Sequence, residues 1–394
     1  MTGTLLTINT GSSSLKAALY PLDSDGNPLV RALVTRIALA GSRMRIVDVG
    51  GATLLDQEGD LPDHASAVRE MLAWLGGRGF DGDLRAVGHR VVHGGSRYVE
   101  PQPITAALID AVEKMVPIDP DHLPQALDAI REAGRAYPKV PQVACFDTAF
   151  HRHMPRVAQL YALPSRLAEA GVIRYGFHGL SYEYIMQELR TIDPGAADGR
   201  VIIAHLGNGA SMAAVRDGVG VDTTMGFSPI GGLMMGTRSG DLDPGVLLYL
   251  LREQGTSAAF LSDLVNQEAG LLGVSGVSAD MRDLLDREAV DAAAATAVEL
   301  FCYQAKKFLG ALVAVLGGLD TLIFTAGIGE NAASVRQRIC AGLGFVGVAL
   351  DPHANEANAP VISGGASHVV VRVMKTDEDL MIARHTRSLV MRGG

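Results

Sequence analysis

The chain has 394 residues, with 34 Lys and Arg against 43 Asp and Glu, a formal net charge of −9. Hydrophobic residues make up 48% and charged residues 20%, which excludes a disordered chain. The length allows two to three domains at about 150 residues each. The acidic balance argues against a general phosphate-backbone binder, which would carry clustered Lys and Arg.

Strand signals open the chain at Leu5–Ile8, Leu15–Tyr20, Leu33–Leu39 and Met44–Val49. A Gly/Ser turn and Asp23-Ser24-Asp25-Gly26-Asn27-Pro28 separate the first three, which predicts an antiparallel meander. Ala65, Val68, Met71, Leu72 and Leu75 then share one helical face. A strand follows at Ala86–Val92, helices at Thr105–Val116 and Pro124–Ala136, and a buried strand at Val143–Phe146. Strands first, then alternating helix and strand, is the order of a mixed α/β domain.

The order recurs. Val201–His205, the turn Gly207-Asn208-Gly209 and Met212–Val215 repeat the pattern of Thr7-Ile8-Asn9, Gly11-Ser12-Ser13 and Lys16–Leu19. A long helix at Ala289–Leu316, strand Thr321–Phe324, helix Ala332–Leu343, strand Val369–Met374 and terminal helix Asp379–Met391 complete the chain. This repetition predicts an internal duplication, two similar α/β halves with a ligand cleft between them. The first domain is expected over 1–150, with a terminal helix 379–394 returning to it, and the second over 151–378.

The longest strongly apolar uncharged run, Phe308–Leu319, is too short to span a bilayer, and no basic segment precedes an apolar one at the start. Cys145, Cys302 and Cys340 are far apart with no Cys-x-x-Cys pair, which argues against a disulfide framework or structural zinc. A soluble protein of the reducing cytoplasm is expected, without membrane or nucleic-acid partners.

Three glycine-rich turns each follow an apolar strand: Gly11-Ser12-Ser13-Ser14, Gly207-Asn208-Gly209-Ala210-Ser211 and Gly327-Ile328-Gly329-Glu330-Asn331. Glycine lets backbone N–H groups approach an anion, and a helix starting after Asn331 would offer its positive N-terminus. None completes a P-loop or a G-x-G-x-x-G fingerprint, since Met212 and Ala332 stand where a third glycine would be. One such turn alone reads as a tight turn. Three in a duplicated fold predict several phosphate loops closing on one nucleotide.

Lys16 is placed to reach a phosphate, with an exposed strand lysine as the structural alternative. Alternation in Gly88–Gly95 puts Arg90 and Val92 on one strand face, and an arginine beside a Gly-Gly turn suits bidentate recognition of carboxylate or phosphate. Asp147 ends a buried strand, where it serves an α/β crevice or caps the next turn. His151 and His153 lack a third clustered ligand, so no metal site is read there. His178, in Phe177-His178-Gly179, is open to packing and chemistry alike. Arg238 is the lone arginine of a shaped loop, Met225–Asp243. Asp377-Glu378-Asp379 opens the last helix, where capping and one carboxylate reaching Mg²⁺ both fit.

Taken in order, Leu6–Lys16, Gly88–Gly95, Phe146–His151, Tyr175–Gly179, His205–Ser211, Met225–Arg238, Phe324–Asn331 and Thr376-Asp377-Glu378 resemble the motifs of the acetokinase family. The resemblance covers almost the whole chain. It implies an α/β fold of two duplicated ribonuclease H-like domains of the sugar kinase, Hsc70 and actin type, with ATP clasped in an interdomain cleft. The acyl substrate side would lie in the first domain and the nucleotide side in the second. The implied reaction is ATP-dependent phosphorylation of acetate to acetyl phosphate and its reverse, by direct in-line transfer. Propionate or another short carboxylate is the alternative acceptor. A non-catalytic ATP clamp is the rival from another class, and retention of Arg90, His178 and Arg238 speaks against it.

By the same resemblance Asn9 and Glu378 hold Mg²⁺, or Mn²⁺, and Lys16 contacts a nucleotide phosphate. Arg90 binds the substrate carboxylate, with Val92 and Pro229 as further substrate residues. Asp147 occupies the catalytic acid/base position, while His178 and Arg238 stabilise the transition state. His205, Leu206, Gly207, Asn208 and Gly209 form the first ATP segment, and Asp280, Met281 and Arg282 the second, next to adenosine. Gly327, Ile328, Gly329, Glu330 and Asn331 form the third. A homodimer is implied as well. A carboxylate is already ionised at neutral pH, so Asp147 is expected to orient a group rather than remove a proton.

Two segments depart from the family pattern. Ile118-Asp119-Pro120-Asp121-His122-Leu123-Pro124 stands where Leu-His-Asn-Pro is usual, and Gly179-Leu180-Ser181-Tyr182 where Gly-Thr-Ser-His is usual. An uncompensated Asp119 would repel a phosphoryl group, so it is expected to face outward, with His122 supplying the imidazole. The alternative is a solvated surface loop.

Overall fold

The computed structural model describes residues 3–253 and 255–392, apart from the side chain of Glu253. The first sheet takes β1 (Thr4–Thr10), β2 (Ser14–Pro21), β3 (Val30–Thr35), β4 (Ser42–Asp48) and β5 (Thr53–Gly59) as an antiparallel meander. On the other side of β1 lie β6 (Leu84–Val91), the two-residue β7 (Gln102–Pro103) and β8 (Gln142–Phe146), in the order β5-β4-β3-β2-β1-β6-β8-β7. The second sheet joins β9 (Arg200–Leu206), β10 (Ala210–Arg216), β11 (Val219–Thr223), β12 (Thr321–Thr325) and β13 (Val370–Val373), in the order β11-β10-β9-β12-β13.

The run β3-β2-β1-β6-β8 is thus repeated as β11-β10-β9-β12-β13. In both, an antiparallel triplet is extended by two parallel strands. The duplication read from element order is present in the strand topology. Contacts divide the chain into two compact units, Met1–Phe150 with Asp377–Gly394, and His151–Thr376. Gly393 and Gly394, included in the expected helix 379–394, lie outside the described residues.

Helix His64–Gly77 shows how the elements arise. Asp63 accepts the Ser66 N–H at 2.7 Å, and Ala67, Val68, Met71, Leu72 and Leu75 form one buried stripe. That stripe joins Leu6, Ile8, Leu19, Ala32 and Ile46 in the core of the first unit. In the second unit, β9 is buried along nearly its whole length, as strands of a covered sheet are. Helix Ala292–Leu316 packs over β9 and β10. No helix among the described residues is long and apolar enough to cross a membrane.

Several boundaries differ from the sequence reading. β3 ends at Thr35, not Leu39, because Arg36 (φ 58°) and Ala38 (φ 62°) turn the chain through left-handed conformations. The long helix begins at Ala292, where Asp291 caps the N–H groups of Ala293 and Ala294, rather than at Ala289. Helix Gly179–Ile192, β5 and β11 were not expected. The third glycine-rich turn is itself a helix, Ala326–Asn331. Ala326 leaves β12 at φ 65° and the chain coils at once, so no turn precedes the helix Ala333–Cys340.

The terminal helix Glu378–Arg392 packs across β1, β6 and β8. Gly88 makes this approach possible. A Cβ there would stand 2.1 Å from Thr386 Oγ1 and 2.7 Å from Ile382 Cγ2. Lower down the helix, Arg387 donates to the carbonyls of Leu22 at 2.9 Å and Pro21 at 3.1 Å.

Two buried histidines give the fold an acid limit. His89 and His151 are 1% and 2% exposed, and burial pushes both down to about 4. Between pH ~6.5 and 4 the unfolded chain takes up protons that the folded chain refuses, so stability falls as pH falls through this window. Each histidine is expected to cost about 2 kcal/mol by pH 5 relative to pH 7. Urea midpoints at the two pH values check this, and His89→Gln should reduce the difference.

Candidate active site

In the first unit, three strand ends meet. The register pairs Ile8 with His89 and Arg90 with Cys145, which brings Asn9, Arg90 and Asp147 to the carboxyl ends of parallel strands. Arg90 grips Asp147 through Nε at 3.1 Å to both oxygens and through Nη2 at 2.6 Å to Oδ2. Its Nη1 donates to Asn9 Oδ1 at 3.1 Å. The pair is buried, with side chains 15% and 1% exposed. Burial works against the Arg90 charge, but Asp147 and Glu378 outweigh it and raise its pKa. Burial raises Asp147 above the usual carboxylate range, while Arg90 pulls it back. Both carboxylate oxygens are therefore occupied in orienting Arg90. Val92, just past β6, is buried.

The start of the terminal helix adds carboxylates. Asn9 Nδ2 donates to Glu378 Oε2 at 3.2 Å and Asp379 Oδ1 at 3.4 Å. Burial, with Asp377 and Glu378 adding to it, pushes Asp379 up to about 6 against the pull of Lys16. Lys16 itself is exposed, opposite Asn9 in the β1–β2 register. Crowded carboxylate oxygens suit a hard divalent cation that relieves their repulsion; here Asn9 turns its amide N–H groups to them and its Oδ1 to Arg90. Among the described residues no group of three or more His, Cys, Asp or Glu could hold a metal alone. Water and ligand oxygens would complete the shell, as Mg²⁺ commonly requires.

Asp119 does not face outward. It is 3% exposed, and His122 Nδ1 lies 2.8 Å from its Oδ1, with the imidazole side chain 11% exposed. The solvated-loop alternative fails for the same reason. His122 supplies the compensation that the outward placement assumed to be missing. The two join the field of the same cluster, Asp119 acting on Arg90 and His122 on Asp147.

In the second unit, a cavity of about 440 Å³ is lined by Gly207, Asn208, Asp280, Met281, Arg282, Gly327, Ile328 and Asn331. Ala279, Leu285 and Ala332 complete the lining and were not foreseen. A Cβ on Gly327 would meet no protein atom. Asp280 caps helix Met281–Arg287 by accepting the Arg282 N–H at 2.8 Å. Gly236 fits Asn208 closely, since a Cβ there would stand 2.0 Å from Asn208 Oδ1. Other expected residues support from behind. Leu206 and His205 are buried, and Gly329 offers its carbonyl to the fully buried Arg336 at 2.9 Å. Glu330 turns back to accept the Ala326 N–H at 2.9 Å, closing its own helix start.

His178 and Arg238 converge on the β9–β10 turn. An ideal Cβ on Gly209 would lie 3.2 Å from His178 Nε2 and 3.9 Å from Arg238 Nη1. Arg238 is held by the Pro229 carbonyl at 3.3 Å, so Pro229 belongs to the second unit and supports the guanidinium. A glycine turn flanked by an imidazole and a guanidinium has the chemistry to receive an anion.

The acetokinase family model matches residues 4–384. The acetate kinase of Methylocella silvestris is 47% identical over 401 residues, covering 99% of this chain and 98% of that protein. The crystal structure of Porphyromonas gingivalis acetate kinase superposes with a TM-score of 0.87 at 39% identity, covering 98% of this chain and 99% of that one. A propionate kinase from Francisella tularensis subsp. tularensis SCHU S4 superposes with a TM-score of 0.92 at 34% identity, covering 98% and 100%. With the match running through both units, the chain belongs to the acetokinase family.

Proposed function

We propose that this chain transfers the γ-phosphoryl group of ATP to acetate, giving ADP and acetyl phosphate, and also runs the reverse. The observation that carries the reading is the convergence of His178 Nε2 and Arg238 Nη1 on the Gly209 turn. Phosphoryl transfer to an already ionised carboxylate needs positioning and charge stabilisation more than a base. An imidazole and a guanidinium over a glycine turn supply both. The naming of relatives as acetate kinases supports the same activity.

Arg90 binds the acetate carboxylate with the N–H groups that Asp147 and Asn9 leave over, and Val92 stands two residues further along the chain. Asp147 orients the guanidinium. Pro229, assigned with the substrate residues, acts by holding Arg238. The 440 Å³ cavity takes the nucleoside beside Asp280, Met281 and Arg282, and Gly207, Asn208 and Gly209 take phosphate. Ile328 and Asn331 line the nucleoside, while Gly329 and Glu330 shape the helix under it. Lys16 contacts a phosphate. Asn9 and Glu378 hold Mg²⁺, which when bound neutralises charge on the phosphates. A cytoplasmic homodimer is part of the reading, carried by the family resemblance, and the three buried cysteines fit a reducing compartment.

Trapping acyl phosphate as the hydroxamate, with acetate, propionate and butyrate as acceptors, tests the proposal. Acetate should give the highest kcat/KM. A higher value with propionate would move the assignment to a propionate kinase, and no hydroxamate with any acceptor would leave a non-catalytic ATP clamp. Glu378→Ala should shift half-saturation to higher Mg²⁺. If Glu378 only caps the last helix, melting would show about 1 kcal/mol lost with the Mg²⁺ curve unmoved.

A further inference from the structure

We infer that Tyr182 and Ser211 are positioning residues that set the tautomer of His178 through a chain of two hydroxyls. The inference rests on the reading of His178 as the imidazole that meets the transferred phosphoryl group.

His178 sits at φ 59°, in the left-handed region, at the cap of helix Gly179–Ile192. Tyr182 is one turn into that helix, and its N–H donates to the His178 carbonyl at 3.1 Å. Ser211 comes from β10 on the sheet. Its Oγ lies 2.8 Å from His178 Nδ1 and also bonds the Tyr182 hydroxyl. Tyr182 and Ser211 are both fully buried. The His178 ring is held flat as well, stacked on His205 with centroids 4.2 Å apart and planes 19° apart. His205 Nδ1 is in turn 2.8 Å from Ser181 Oγ.

One serine proton cannot serve both neighbours. A phenol is the stronger hydroxyl donor and a neutral imidazole nitrogen the stronger acceptor. The bonds therefore run from Tyr182 O–H to Ser211 Oγ, and from Ser211 O–H to His178 Nδ1. Successive hydroxyls polarise one another, which strengthens this direction over its reverse. With Nδ1 accepting, the ring proton resides on Nε2, the atom that faces the Gly209 turn. His178 thus presents an N–H donor to an anion. A ring that had to shift its proton first would present a lone pair to the phosphoryl oxygens.

The test uses the full-length enzyme labelled with ¹⁵N-histidine, the His178 signals being assigned with His178→Asn. Long-range ¹H–¹⁵N spectra near neutral pH should show the Nε2–H form in the parent. Tyr182→Phe and Ser211→Ala should each give averaged ¹⁵N shifts from mixed tautomers. Each should also lower kcat at least tenfold, with KM for ATP and for the carboxylate within twofold. An Nδ1–H parent, or variants whose spectra and kcat stay as in the parent, would overturn the inference. So would a lowered melting temperature with kcat retained, the mark of a merely structural hydroxyl. A parent that makes no acyl phosphate but shows the Nε2–H form lost in both variants would uphold the hydroxyl chain and overturn the transfer reading alone.

Discussion

Arg238→Ala is expected to lower kcat by ~10³-fold, with nucleotide affinity within about twofold of the parent. The size follows from where the charge sits. Arg238 Nη1 is 3.9 Å from the Cβ position of Gly209, beside the β9–β10 turn. Its Nη1 donates to the Pro229 carbonyl at 3.3 Å and lies 3.9 Å from the Met235 sulfur. A guanidinium already positioned beside the turn stabilises developing negative charge without having to reorganise. The loop is stiff enough to hold it there. Met235 N–H donates to the Arg238 carbonyl at 3.1 Å, and a Cβ on Gly240 would fall 2.6 Å from the Gly232 carbonyl oxygen. Arg238→Lys should recover little, because an ammonium cannot bond Pro229 and still present a fork to a phosphoryl group. Single-turnover rates and titration with ATP separate the two quantities. An unchanged kcat would return Arg238 to a role in loop structure.

Arg90→Ala is expected to raise KM for the carboxylate by the equivalent of about 2–3 kcal/mol, with KM for ATP nearly unmoved. The same change strands a carboxylate that is 1% exposed, so the protein should also lose about 3–5 kcal/mol of stability. The two effects are separable. Adding Asp147→Asn to Arg90→Ala removes the stranded charge and should recover much of the melting temperature while leaving KM high. If KM recovered with stability, Arg90 would be a buried structural ion and not a substrate contact. Equal rises in both KM values would also remove the assignment.

How much of this was legible follows from which interactions are local. β1, β2, β9 and β10 announce themselves as apolar runs around glycine turns, and their shared order exposed the duplication. Strand-end residues such as Arg90 and Asp147 could be picked because parallel strands bring their carboxyl ends together. β5 could not, since most of its residues are exposed and carry no apolar alternation. The helix Ala326–Asn331 was hidden by its two glycines, which read as a turn, while the Glu330 cap that closes it reaches back from inside the helix. Asp119 was turned the wrong way because His122 was weighed as a substitute and not as its partner. Ser211 and Tyr182 lie 29 residues apart, and nothing in either segment says that one hydroxyl will find the other.

The return of the last helix to the first sheet has a consequence for synthesis. His151–Thr376 is one uninterrupted stretch, so this unit has all its residues once Thr376 has left the ribosome. The N-terminal unit, made first, is still lacking Gly88's neighbours Ile382 and Thr386, and the Arg387 bonds to Pro21 and Leu22. Its sheet face over β1 and β6 stays uncovered until the final residues emerge. Nascent domains generally fold in the order they are made. In this chain the order of completion is reversed, and an N-terminal sheet with one face uncovered is the species that a chaperone would meet.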